Sequence, residues 1–210
     1  MNNNGKIRIL IADDHYIVRI GLTALVNTDP NMEVVAEAAD GAQAVELFAK
    51  HNPNVALMDL RMPVKSGIQA TIEIRSKFPK ACILMLTAFD GDEDIYKALQ
   101  AGAQGYVLKS SSGEKLLLPA VRAVAAGQRW IPQDVANRLA ARNLFEQLTP
   151  REVRVLNELA KGLANKEIAS VLNITENTAK DHLKSILGKL RVNDRTEAVT
   201  AAIQRGIIHL

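Results

Sequence analysis

Two domains of different class are predicted: an α/β domain on a parallel five-stranded sheet, then a smaller all-α domain. Three observations carry this. The chain has 210 residues, long for one ordinary domain and comfortable for two small ones. Short apolar runs recur at 7–12, 34–38, 55–58, 82–86 and 106–108, alternating with helical patterns at 16–27, 40–51, 66–77, 92–101 and 113–126. That alternation stops after Gly127, and from Leu148 onward the periodicity is helical only.

Apolar runs this short, some of them β-branched, are those of strands buried on both faces. Five strand–helix repeats require a parallel sheet with helices on both faces, joined by right-handed crossovers. The expected strand order is 2-1-3-4-5, the flavodoxin-like arrangement. Beyond Gly127, Trp130-Ile131-Pro132 leads into a polar helical stretch at 133–143, so 128–147 reads as a linker with one short helix. Thr149-Pro150-Arg151-Glu152 is a capping box with proline at the first helical position. Gly162 stops that helix, and Asn165 is expected to cap the next, which runs to about Leu172. Asn173-Ile174 forms a tight turn, and Thr175 caps a third helix reaching about Leu190. Asp194 and Glu197 open a last helix that ends at Gly206. The expected domains are therefore 1–127 and 148–210, with 128–147 between them.

Composition narrows the class. Hydrophobic residues make up 48% and charged residues 23%, as in an ordinary soluble globular protein. No apolar run approaches the roughly 20 residues that cross a bilayer. Met1-Asn2-Asn3-Asn4-Gly5-Lys6 lacks the apolar stretch of a secretory signal. No membrane association and a cytoplasmic location are expected. The single cysteine, Cys82, rules out an internal disulfide and sits in an apolar run, which predicts a buried core thiol. The net charge of +3 is uneven: residues 1–127 sum to −1 and residues 128–210 to +4. A basic second half suits a polyanion such as DNA, although a difference of a few charges alone discriminates little.

The chemistry is expected at strand ends. Asp13 and Asp14 follow the first strand, Asp59 the third, Thr87 the fourth and Lys109 the fifth. In an open parallel sheet the ligand crevice lies beyond the carboxyl ends of the strands, where the strand order reverses. All five residues then meet in one crevice. Three carboxylates in one pocket repel each other and call for a hard, oxygen-liganded cation such as Mg²⁺. A carboxylate can attack phosphorus and form an acyl phosphate, whose charge Mg²⁺ and the Lys109 ammonium neutralise while the Thr87 hydroxyl donates a hydrogen bond. Taken singly, each of these residues is more often structural, and Asp14 can equally cap the first helix.

Asp13-Asp14-His15, Asp59-Leu60-Arg61-Met62-Pro63 with Gly67, Thr87-Ala88 and Gly105-Tyr106-Val107-Leu108-Lys109 resemble the receiver domain of bacterial response regulators. The resemblance implies that Asp59 accepts a phosphoryl group from a phosphohistidine on a sensor histidine kinase. It implies that Asp14, Asp59 and the backbone carbonyl of Arg61 bind Mg²⁺, with Asp13 acting through water, and that Thr87 and Tyr106 form a switch pair. A plain core aromatic is the other reading of Tyr106. One departure is Ser110, where many receivers have proline after a cis bond; the geometry there stays open. Arg61 and Phe89, each two residues past a strand-end residue, are expected to flank the mouth of the site.

In the second domain the third helix is amphipathic: Ala179, Leu183, Ile186, Leu187 and Leu190 share one face, and Asn177, Lys180, Asp181, Lys184 and Gly188 lie away from it. Such a helix after a tight turn suits a major groove, with Asn177, Thr178, Lys180 and Lys184 as contacts; an ordinary solvated face fits the same pattern. Leu148-Thr149-Pro150-Arg151-Glu152, Gly162-Leu163-Ala164-Asn165-Lys166-Glu167-Ile168-Ala169 and Thr175-Glu176-Asn177-Thr178-Ala179-Lys180-Asp181-His182-Leu183 resemble the LuxR-type helix-turn-helix domain. Joined to a receiver, this is the pattern of the NarL/FixJ class. It implies base-facing positions for Lys180, Asp181 and Lys184, and a last helix whose strip Ala198, Val199, Ala202 and Ile203 serves dimerisation or core packing.

The expected function is a phosphorylation-controlled transcription regulator of a two-component system. Its partners are a sensor histidine kinase, double-stranded promoter DNA and RNA polymerase, with a homodimer in the phosphorylated or DNA-bound form. No enzymatic turnover is expected beyond self-phosphotransfer and autodephosphorylation at Asp59. An aspartyl-phosphate phosphatase needs a second acid two residues after the nucleophile, where Arg61 stands. A LuxR-type sensor of a small molecule does not need the intact Asp–Thr–Lys set. A DNA-binding protein that works without phosphorylation remains open on sequence alone.

Overall fold

The computed structural model describes residues 5–88, 91–111, 114–142 and 145–209. Phe89 and the expected helix limits at Gly113 and Asn143 fall outside them. The chain divides into two compact units, Met1–Phe89 with Ile95–Val135, and Asp90–Asp94 with Ala136–Leu210. No described helix is long and apolar enough to cross a membrane.

The first unit holds strands β1 (Ile7–Ala12), β2 (Met32–Ala38), β3 (Val55–Met58), β4 (Ile83–Thr87) and β5 (Gly105–Leu108), all parallel, in the order β2-β1-β3-β4-β5. Strands β3 and β4 are buried along their whole length, which is why they read as continuous apolar runs. Edge strand β2 is only half-buried between its ends. Helices α1 (Tyr16–Val26), α2 (Gly41–His51), α3 (Gly67–Lys77), α4 (Asp92–Gln100) and α5 (Glu114–Ala125) follow the strands in turn. The core on one side of the sheet joins Ile9, Ile11, Leu57, Leu84, Leu86 and Val107 to Leu117, Val121 and Val124 of α5.

Local chemistry sets the helix limits. Asp40 accepts from the amides of Ala42 and Gln43 to start α2, and Ser66 with Gln69 forms a full capping box on α3. One expectation about caps is corrected here. His15, not Asp14, occupies the N-cap of α1, and no side chain caps that end. Trp130, within the segment expected as linker, donates its amide to the Gln104 carbonyl, and its own carbonyl accepts from the Tyr106 amide, both at 3.0 Å. Trp130 thus pairs with the free edge of β5 in the first unit.

The second unit holds the part of α6 (Gln133–Arg142) from Ala136 on, followed by α7 (Pro150–Ala160), α8 (Asn165–Leu172), α9 (Glu176–Leu190) and α10 (Arg195–Gln204). Ala164, not Asn165, is the N-cap of α8; the Glu167 carboxylate accepts from its amide at 2.7 Å, which replaces the missing side-chain cap. Asn173 ends α8 in the left-handed conformation, φ +52°, turning the chain sharply into α9. The core joins Val155, Leu156 and Leu159 of α7 to Ile168, Ile186 and Leu190. It also takes in Ala198 and Ala202, so most of the α10 strip is spent on packing, and Ile203 is its one clearly exposed member.

Glu152 ties this unit together. It is 4% exposed, and its carboxylate accepts from the Thr149 amide at 2.6 Å, the Ser185 hydroxyl at 2.7 Å and the Lys189 ammonium at 2.7 Å. Burial alone raises a carboxyl pKa, but these donors outweigh it and hold Glu152 at about 2. One acid therefore fastens the start of α7 to the last turns of α9. Glu152→Gln is expected to cost this unit about 1–3 kcal/mol near neutral pH, because Lys189 loses its counter-charge. The folded pKa lies below the unfolded 4.5, so the stabilisation is complete above 4.5 and lost as pH falls towards 2. Urea unfolding followed by amide exchange in α7 and α9 checks this; a gap between wild type and variant that ignores pH contradicts it.

Candidate functional site

Strand register brings the acidic residues together. Ala12 pairs with Met58, so Asp13 and Asp59 emerge side by side one step beyond. The Asp59 amide donates to the Ala12 carbonyl at 2.8 Å, extending the ladder to that point. Thr87 pairs with Leu108, so Lys109 follows immediately after the partner of Thr87. Asp13, Asp59 and Thr87 are all buried.

Lys109 crosses the gap. It stands at the start of a short 3₁₀ turn, Lys109–Ser111, and its ammonium lies 2.7 Å from Asp13 Oδ2 and 3.1 Å from Asp59 Oδ1. Burial drives its pKa down and the two carboxylates drive it up; the carboxylates win, so Lys109 stays charged. Asp59 behaves in the opposite way. Desolvation raises its pKa first, Lys109 opposes this, and the Asp13 charge adds to the rise. Asp59 Oδ1 is within ion-pair distance of Lys109 yet has no aligned hydrogen-bond donor. A buried carboxylate oxygen left in this way suits a cation or a new oxygen-bearing group better than it suits itself.

Asp14 is more exposed, and His15 Nδ1 lies 2.8 Å from its Oδ1. One ligand atom each from Asp13, Asp14 and His15 falls within 4.8 Å of the others. Arg61 is half-buried in the loop after β3. Tyr106, opposite Met85 in the register, is 0% exposed and among the largest fully buried side chains. No peptide bond is cis among the described residues, so the bond before Ser110 is trans.

The sequence missed the backbone that frames these residues. A Cβ on Gly67 would stand 1.9 Å from the Asp59 carbonyl oxygen, and one on Gly41 would stand 2.2 Å from that of Lys65. Both glycines therefore let the loop after β3 close against α2 and α3. Within it Val64 takes φ +64°, with the Lys65 amide donating to the Pro63 carbonyl at 2.6 Å. A β-branched residue in this tight turn is strained. Arg19 also went unread: its guanidinium donates to the Asp13 carbonyl at 2.8 Å.

The second unit carries the other candidate surface. On α9, Ala179, Ile186 and Leu190 are buried, while Asn177, Lys180, Asp181 and Lys184 are exposed. Thr178 is half-buried and its hydroxyl is 2.8 Å from that of Thr175, inside the cap. Lys180 pairs with Glu176 at 2.8 Å, whereas Lys184 has no ion-pair partner among the described residues. One free cation and one lightly held cation thus face outward from a helix anchored by its apolar side.

Comparison with known proteins places both units. Residues 9–120 match the family model of the response regulator receiver domain, and residues 146–202 that of bacterial regulatory proteins, luxR family. The chain is similar to the response regulator protein VraR of Staphylococcus aureus, 41% identical over 207 residues that span 96% of this chain and 99% of that protein. Among solved structures it is similar to the response regulator ChrA of a heme-sensing two-component system, with TM-score 0.60 and 37% identity over 97% of this chain and 100% of that one. It is also similar to the RcsB–DNA complex, with TM-score 0.70 and 28% identity over 95% of this chain and 98% of that one.

The electrostatics of Asp59 have a measurable consequence. Its folded pKa lies above the unfolded 3.8, so ionising it penalises the folded state. The penalty is absent below 3.8 and complete above the raised value. Asp59→Asn is expected to stabilise the first unit near neutral pH in metal-free buffer, Lys109 keeping Asp13. Thermal unfolding followed by Trp130 fluorescence checks this, and a destabilised variant contradicts it.

Proposed function

This chain belongs to the response regulators that join a receiver to a LuxR-type DNA-binding domain, and from that premise we propose how its residues divide the work. The protein is a phosphorylation-controlled transcription regulator. Residues 1–127 act as the receiver, 128–147 as linker and 148–210 as output domain. The observation that carries the reading is the Asp13–Lys109–Asp59 arrangement at the carboxyl ends of β1, β3 and β5.

Asp59 is the phosphoacceptor. One of its carboxylate oxygens bonds to phosphorus as the P–N bond to a histidine of the sensor kinase breaks, and the imidazole leaves with the bonding pair. Lys109 stays charged and faces the oxygens that gain charge. Thr87 supplies a hydroxyl at the end of β4, and Tyr106 packs behind it as the second member of the switch. Asp13, Asp14, Asp59 and the Arg61 backbone carbonyl suit Mg²⁺, since they are hard oxygen donors and Asp59 Oδ1 lacks an aligned donor. The ion, when bound, offsets the carboxylate charge and that of the phosphoryl oxygens.

On the output side, Asn177, Thr178, Lys180, Asp181 and Lys184 of α9 face promoter DNA. Lys184 meets a phosphate or a guanine edge, and Asp181 accepts from a cytosine amino group or disfavours other bases. RcsB is described as two dimers bound to two parallel DNAs, which supports a homodimer here. RNA polymerase is the further partner of such a regulator. Beyond phosphotransfer and autodephosphorylation at Asp59 the protein has no turnover.

Incubation with acetyl phosphate and Mg²⁺, read by intact mass, tests the assignment. Wild type is expected to gain one phosphoryl group and Asp59→Asn none. A persistent gain in Asp59→Asn moves the acceptor elsewhere and overturns the reading.

A further inference from the structure

At the end of the sheet away from Asp59, the first unit carries a cavity of about 440 Å³. It lies where β3 and β4 begin and α2 and α3 end. Its apolar wall is formed by half-buried Phe78 with Pro53, Pro79 and Cys82, backed by the buried ring of Phe48, whose centroid lies 5.4 Å from that of Phe78. The size and the mix of aromatic wall with a few polar groups are those of small-molecule sites.

Two features define what fits. Lys77 and Lys80 line the cavity, and no acidic residue does. Lys77 is paired with Glu73 at 2.7 Å, but Lys80 has no ion-pair partner among the described residues. The site is therefore apolar and cationic, with one positive charge left uncompensated. Cys82, expected to be a buried core thiol, is half-buried: it packs against the sheet core and also lines this wall. Burial raises its pKa, so it meets an occupant as a neutral, polarisable surface and not as a nucleophile.

We propose that this cavity is a second ligand site of the receiver, binding a small aromatic carboxylate with its ring against Phe78 and Cys82 and its carboxylate beside Lys80. Charge complementarity selects the anion, and the Phe78 ring selects the aromatic body. The site is separate from the acidic crevice: β4 begins at the cavity wall and ends on Thr87, so the two sites occupy opposite ends of one strand.

Titration of the full-length chain with naphthoate, followed by amide-resolved NMR, tests this. Saturable shifts are expected at Phe48, Asn54, Phe78 and Cys82, with the same affinity in Asp59→Asn. Lys80→Gln, an exposed change that leaves the core intact, is expected to weaken naphthoate roughly two- to fivefold, the scale of one exposed ion pair. It should leave the neutral naphthalenemethanol unaffected. Shifts that fail to saturate, shifts centred on Lys109, or equal loss of both compounds in Lys80→Gln would overturn the proposal.

Discussion

The ammonium of Lys109, held between Asp13 at 2.7 Å and Asp59 at 3.1 Å, is the interaction on which the receiver site depends. Two buried carboxylates at adjacent strand ends repel each other, and in a dry site that repulsion is severe unless a cation stands between them. Lys109 supplies that cation from β5, which is not the neighbour of either β1 or β3 in the sheet. The turn after β5 must carry the side chain across β4 to reach them. Strand order, the length of β5 and the position of the lysine are thus fixed together. Removing the cation would leave two charges buried without compensation, a far worse outcome than never having had the triad.

The two units use buried carboxylates in opposite ways. Glu152 receives three donors, its pKa falls to about 2, and it holds α7 against α9. Asp59 Oδ1 lacks an aligned donor, and burial raises the Asp59 pKa. A satisfied acid is a fastening. An unsatisfied one, kept in place by its surroundings, is available for chemistry. The Val64 turn and the close approaches at Gly41 and Gly67 provide that restraint: the loop after β3 is pinned at both ends, so Asp59 cannot relax towards solvent.

Much of this was legible in the sequence because it follows from periodicity. Strand-end residues are countable once the strands are recognised, so the placement of Asp13, Asp59, Thr87 and Lys109 at strand ends is legible from spacing alone. The outward set on α9 followed from helical spacing in the same way. What escaped depends on distant backbone. Nothing near Gly67 in the chain shows that the Asp59 carbonyl will press against it. Asn165 is a better capping residue than Ala164 by type, but Glu167 reached back to the Ala164 amide and decided the position of the cap. Cys82 sits in an apolar run, yet it lies before the first residue of β4 and faces a cavity. The pairing of Trp130 to β5 leaves no local pattern in the sequence. The α10 strip fitted core and interface equally until Ala198 and Ala202 proved buried.

A phosphoryl-like group seated at Asp59 and Lys109 is expected to change how α9 meets DNA. The most direct measurement is the affinity of the full chain for a duplex selected by the protein itself, with Mg²⁺, in the presence and absence of beryllofluoride. Wild type should bind more tightly with beryllofluoride, and Asp59→Asn should show one affinity under both conditions. Equal affinities in wild type, or the same gain in Asp59→Asn, would contradict the account.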